Sequence, residues 1–277
     1  MKTKFKTGFT LIELVVVLAV LVLLGIVFSP TLARTSPNTK SVQCLNNHRQ
    51  LCNAWRMYAA DSGDAIVYAS NDGTGTSNPL NQYAWVQDHQ DFNPSNPGNW
   101  DPSYLKRSPL WPYCGENTAI WKCPADQSFL LVSGVPKPRI RSFSMNLYLG
   151  GFAGTDGGWP FARPFRIFLK AAELSALAPS SAFVFLDFRP DFVNWGNFLT
   201  DMTGYLPTAP SLYQLTDLPA YSHNGACGFS FADAHGEMKR WRDGRTMPPL
   251  YSNVPSPYRC PNNPDVAWLQ DHATRPK

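Results

Sequence analysis

The chain has 277 residues, enough for a sizeable core, with 44% hydrophobic and only 16% charged residues, and its 25 prolines and 19 glycines imply much turn and irregular structure. The formal net charge is +4, but Lys2, Lys4 and Lys6 carry three of those charges, and without them basic residues come to near-parity with the 20 acidic ones. No basic patch stands elsewhere in the sequence, which excludes a dedicated nucleic-acid binder.

From Phe9 to Phe28 the only charged residue is Glu13. As a helix at ~1.5 Å per residue this run spans roughly 30 Å, the thickness of a bilayer's hydrocarbon core. The lysines before it place residues 1–8 in the cytoplasm and the rest outside, a single-pass protein of the inner (cytoplasmic) membrane. A secretory signal would have a shorter apolar core and small residues at its cleavage site, which this run lacks. A carboxylate within it is costly and needs a partner. Pro30 should break the helix, and Ser36 with Pro37 can start another. Cys44, His48, Leu51, Trp55 and Tyr58 then recur at three- and four-residue spacing, one amphipathic face that ends at the Ala-Asp-Ser-Gly of 60–63. His48 within that stripe reads as a packed or capping histidine.

Beyond residue 61 the main helical candidate is Phe168 to Ala178. Ser181 to Asp187 is a compact apolar strand. In Ala226 to Asp233, Cys227, Phe229 and Phe231 alternate with Gly228, Ser230 and Ala232, giving one bulky and one small face. Asp233 to Gly236 reads as a turn and Glu237 to Trp241 as the returning strand, a hairpin with its bulky face toward the long helix. Loops fill 70–102 and 150–164, and the Pro-rich tail after Met247 reads as irregular. Of the tryptophans in loop-rich regions (Trp85, Trp100, Trp111, Trp121, Trp159 and Trp195), most are expected to fill the core; exposed ones suit glycan binding.

The segment KTG followed by FTLIELVVVLAVL resembles the class III signal of type IV pilins and type II secretion pseudopilins. The resemblance implies cleavage by prepilin peptidase between Gly8 and Phe9, N-methylation of Phe9, and Glu13 as the acid at the fifth mature position. Glu13 would then neutralise the new amine of Phe9, on its own or a neighbouring subunit, inside a filament. Further segments are similar to the prepilin-type branch with a C-terminal H-X9-DG motif: CLNNHRQLCNAWRMYAADSGD at 44–64, WKCPAD at 121–126, RIRSFSMN at 139–146, FVFLDFRPD at 183–191 and PNNPDVAWLQDHATR at 261–275. The motif is His223 and Asp233, with Ala234 where the family has Gly.

The implied fold is α+β and pilin-like: a long N-terminal hydrophobic helix packed on a small antiparallel sheet with long irregular loops. The implied organisation is a leader at 1–8, an assembly helix at 9–60 broken near Pro30, and an extracytoplasmic head at 61–277. The implied function is a structural subunit of a type IV pilus-like filament or a type II secretion pseudopilus, not an enzyme. Its partners would be copies of itself, other pilin-like subunits, prepilin peptidase and the inner membrane. A surface binding module for glycan is the alternative, and an anchored metal-dependent enzyme using His223, Asp233 and His235 a third reading. For that trio the preferred account is structural, with Asp233 capping the turn and His223 bonding a neighbouring loop.

None of the six cysteines forms a CxxC, and no Cys/His spacing suits a structural zinc site, so no cofactor is expected. Asp61 with Asp64, or Asp88 with Asp91, is the candidate for calcium. The resemblance implies a disulfide between Cys44 and Cys123, with Cys114–Cys123 as the local alternative.

Overall fold

A computed structural model describes residues 11–27, 37–74, 77–158 and 164–277. The chain divides into two compact units, Met1–Ser36 and Pro37–Lys277. In the first, α1 (Leu11–Val27) is apolar throughout apart from Glu13. Gly8, Phe9, Pro30 and Ser36 lie outside the described residues.

The second unit opens with α2 (Pro37–Asp61), whose Cys44, His48, Leu51 and Trp55 are buried on one face, as the periodicity requires. Two short hairpin strands follow, β1 (Phe129–Val132) and β2 (Val135–Pro138). The main sheet takes β3 (Phe143–Asn146), β4 (Phe183–Asp187), β5 (Asn197–Phe198), β7 (Ala226–Phe231) and β8 (Gly236–Arg240) in the order β5-β3-β4-β7-β8. All its neighbours are antiparallel except β3 and β5, which run parallel. β6 (Gln214–Leu215) pairs with β9 (Tyr258–Arg259) at one side, and α3 (Pro264–Ala273) closes the chain.

The hairpin β7–β8 forms where the alternation places it, but its faces are reversed. Phe229 packs edge-on against Trp241 and Trp268, with centroids 6.0 and 5.0 Å away, and Phe231 lies by Trp268 and His272, so the bulky face meets α3. The small face receives α2: a side chain added at Gly228 would meet His48 Nε2 at 3.0 Å, and Cys52 Sγ donates to the Phe231 carbonyl at 3.0 Å. Glycine and serine let a helix backbone approach the sheet closely, which phenylalanine would prevent.

Other expectations give way as well. The tail after Met247 contains β9 and α3; Asn263 caps α3 by accepting from Asp265 N at 2.8 Å, with Pro264 at its first position. Phe168 to Ala178 forms only a short 3-10 turn, Ala171–Ala176. The pilin-like fold class is corrected on two counts. The sheet is mixed rather than antiparallel, and what packs on it is the amphipathic α2 and not a long apolar helix. Over its described residues α1 runs for 17 residues, roughly 26 Å. No helix among the described residues is long and apolar enough to cross a membrane, which overturns the expected transmembrane segment and the inner-membrane localisation drawn from it.

Trp85 and Trp121 stack in the core, centroids 5.6 Å apart and planes 3° from parallel, and Phe185 leans on Trp85. Both indoles are fully buried, the core-filling role expected of most tryptophans here.

The turn after β7 carries strain. Asp233 Oδ1 accepts from His235 N at 3.1 Å, which leaves Ala234 at φ +75°, the left-handed region where a Cβ is disfavoured. Ala234→Gly should raise stability by about 1 kcal/mol in chemical denaturation; an unchanged midpoint would show the turn to be unstrained.

Candidate functional site

β4 reads FVFLD, four buried apolar residues closed by an equally buried carboxylate. Leaving such a charge unpaired would cost several kcal/mol. The surrounding elements answer it from several directions. His48 Nε2, from α2, lies 3.1 Å from Asp187 Oδ1, and Cys44 Sγ, one turn earlier, donates to the same oxygen at 3.1 Å. Gly228 N, from β7, donates to Oδ2 at 2.9 Å. His223 Nε2, in the turn before β7, stands 3.4 Å from Oδ2.

His223 extends the network on both ring nitrogens. Its Nε2 is 3.1 Å from Cys123 Sγ and its Nδ1 is 3.0 Å from Ser41 Oγ in the first turns of α2. Cys123 Sγ also accepts from the Ala125 backbone N–H at 3.3 Å, and the His48 ring stacks on Phe143 at 4.1 Å. Cys227 Sγ reaches the Asp187 carbonyl at 3.2 Å.

Burial disfavours the charge on Asp187, but hydrogen bonds from His223 and His48 outweigh it and hold the carboxyl below its usual range. Burial opposes protonation of His223 too; its contacts with Asp187 and Cys123 prevail and raise it to about 10. Burial pushes the Cys44 thiol up, while the hydrogen bond from Cys44 draws Cys123 down. The arrangement therefore favours a carboxylate and an imidazolium in one enclosed space, with the Cys123 thiol drawn down beside them.

The trio His223, Asp233 and His235 is not brought together. Asp233 and His235 pair with each other at 2.6 Å on the exposed turn, whereas His223 sits at the opposite end of the six-residue β7, about 20 Å away at ~3.3 Å per residue. The H-X9-D spacing therefore spans one strand and joins two separate structural devices, the turn cap and the buried cluster. Among the described residues, the group of His, Cys, Asp and Glu side chains close enough to share an ion is Cys44, Cys123, Asp187 and His223, with ligand atoms all within 4.8 Å of one another. All six cysteines are free thiols. The calcium candidates are spent on local bonds: Asp61 accepts from Tyr113 Oη, Asp64 from Ala172 N, Asp91 from Asn99, and Asp88 faces Arg107 at 3.5 Å.

A separate cleft of about 530 Å³ is lined by Asn71, Asp72, Phe152, Trp195, Asn197 and Asp217. Three buried arginines hold its surroundings through backbone carbonyls. Arg139 binds Pro190 and Val193, Arg141 binds Asn194 and Trp195, and Arg189 binds Pro248 and Pro249 while pairing with Asp191. Among the described residues, Asn197 Oδ1 is buried at the cleft without a hydrogen-bond partner. Hydrogen bonds from Asn78, Thr74 and Asn81 hold Asp72 below the usual carboxylate range. Asp217 keeps a little exposure to the cleft yet is densely enclosed, and burial raises it to about 7 against one bond from Leu199 N at 2.7 Å.

No family model matches the chain, and no curated protein or solved structure matches it either.

Sequence reasoning missed Asp187 as the hub of the cluster. The available signal was an acid ending an otherwise apolar strand.

Because the folded-state value of Asp217 is raised, the folded chain binds the extra proton, and the contribution of Asp217 to stability should fall as pH rises from about 4 to about 7. Asp217→Asn should remove up to about 4 kcal/mol of that slope in denaturation curves taken across this window. Identical pH profiles for the two proteins would refute the assignment.

Proposed function

We propose that the chain is a structural subunit that assembles through its N-terminal helix into a type IV pilus-like filament or type II secretion pseudopilus, after prepilin peptidase cleaves between Gly8 and Phe9. It is then a substrate of processing and not an enzyme. The observation carrying this reading is the surface of α1. Leu11, Ile12, Leu14, Val15, Val16, Val17, Leu18 and Val20 are all exposed, and at 100° per residue they cover every side of the helix. An apolar surface of that extent requires cover. Copies of the same helix supply it, and Glu13 then meets the amine of Phe9 within the bundle. The head contributes a body with its own packed core.

Filaments sheared from the native host should contain a peptide beginning at methylated Phe9. Glu13→Gln leaves that amine buried without its counter-charge, a loss of about 3–5 kcal/mol, and should remove the protein from the sheared fraction. A chain that retains Met1 in the assembled material would sink the proposal.

The cleft favours a second reading, a head that binds a neutral polyhydroxyl ligand such as a glycan. Trp195 offers a partly exposed ring at the cleft. Oligosaccharides should perturb tryptophan fluorescence saturably, and Trp195→Ala should weaken that binding about tenfold. A flat response across a glycan panel argues against this reading.

A further inference from the structure

We infer that Cys44, Cys123, Asp187 and His223 form a structural zinc site, closed to solvent, that ties α2 to the head. The site is independent of how or whether the chain assembles.

The four ligands come from four segments: α2, the loop after the Thr118–Trp121 turn, the end of β4 and the turn before β7. All are buried, and each offers an atom of a type zinc accepts: two sulfurs, one imidazole nitrogen and one carboxylate oxygen. Tetrahedral bonds of about 2.0–2.3 Å place ligand atoms roughly 3.3–3.8 Å from one another. Cys44 Sγ and His223 Nε2 each stand 3.4 Å from the one oxygen Asp187 Oδ2, Cys123 Sγ is 3.1 Å from His223 Nε2, and no pair of the four exceeds 4.8 Å. Small rotations of the side chains suffice to seat an ion among them.

The outer contacts are those a metal centre needs. A ligating histidine commonly donates its other nitrogen to an oxygen that fixes the ring, and His223 Nδ1 has Ser41 Oγ at 3.0 Å. The carboxylate is oriented by His48 and by Gly228 N, and a backbone N–H points at the Cys123 sulfur. A side chain at Gly228 would strike Asp187 Oδ2 at 2.9 Å and His48 Nε2 at 3.0 Å, so glycine there keeps the site open on the sheet side. Binding releases the thiol protons and the proton on His223 Nε2 to solvent, leaving two thiolates, a neutral imidazole and a carboxylate around the dication.

The donor set also decides against the alternatives. Calcium and magnesium take oxygen ligands, and only one carboxylate is present. A catalytic zinc keeps a position for water, whereas here all four are supplied by protein and none is exposed. A hydrogen-bonded cluster without metal leaves two thiols as weak donors at the centre of the core.

The test uses the full-length chain, purified with reductant and loaded with Zn²⁺ or Co²⁺. Elemental analysis should give one zinc per chain. The cobalt form should show the visible bands of a tetrahedral ion together with thiolate-to-cobalt charge transfer. Cys123→Ser should lose one thiolate's share of the charge-transfer band. Ser41→Ala retains every ligand and should weaken zinc roughly 10- to 100-fold, so the inference stays testable if the cysteine variant fails to fold. Zinc far below one per folded chain would overturn it. So would a cobalt spectrum unchanged in Cys123→Ser, or a Cys44–Cys123 disulfide in protein taken from the native host.

Discussion

The buried carboxylate of Asp187 organises the head. A charge at the end of a core strand is tolerated only when donors converge on it, and here they come from α2, from the backbone of β7 and from the turn that carries His223. Satisfying that one group fixes how near α2 must lie to the sheet. The near approach in turn requires a small face on β7, which Gly228 and Ser230 provide. The aromatic residues between them are left for the far side, where α3 brings Trp268 and His272 to cover Phe229 and Phe231.

The same economy governs the loops. With few long strands, the chain has many backbone carbonyls that no ladder can satisfy, and three arginines reach them from within the core. Arg141 is wholly enclosed and burial lowers it to about 9; carbonyl oxygens and the Trp85 ring at 5.4 Å surround it in place of a carboxylate. These contacts place residues 190–198, including Trp195, Gly196 and Asn197, beside the cleft. A side chain at Gly196 would collide with the Ala69 carbonyl at 2.5 Å, so the loop runs directly against the segment that forms the other wall. A cleft built this way owes its shape to packed arginines more than to regular structure.

α1 is a different kind of element. It has no polar stripe to set one face apart, so its sequence specifies burial without specifying a partner. The head, by contrast, encodes its contacts in alternating and periodic patterns. The head encloses its own core.

Local pattern determined a good part of this protein. The start of α2 at Pro37, its buried face, the strand ending at Asp187 and the β7–β8 hairpin with its turn at Asp233 are all legible, because capping residues and periods of 2 and 3.6 act between near neighbours. Helix α3 was hidden by the prolines around it, although Asn263 and Pro264 carried its start signal. The sign of the hairpin's faces and the parallel pairing of β3 with β5 were decided elsewhere, since each depends on what lies opposite. The cluster is the clearest case. Cys44, Cys123, Asp187 and His223 stand tens of residues apart with no shared spacing, so no motif marks them as a set. Only the tertiary structure, by bringing four segments to one buried carboxylate, makes them neighbours.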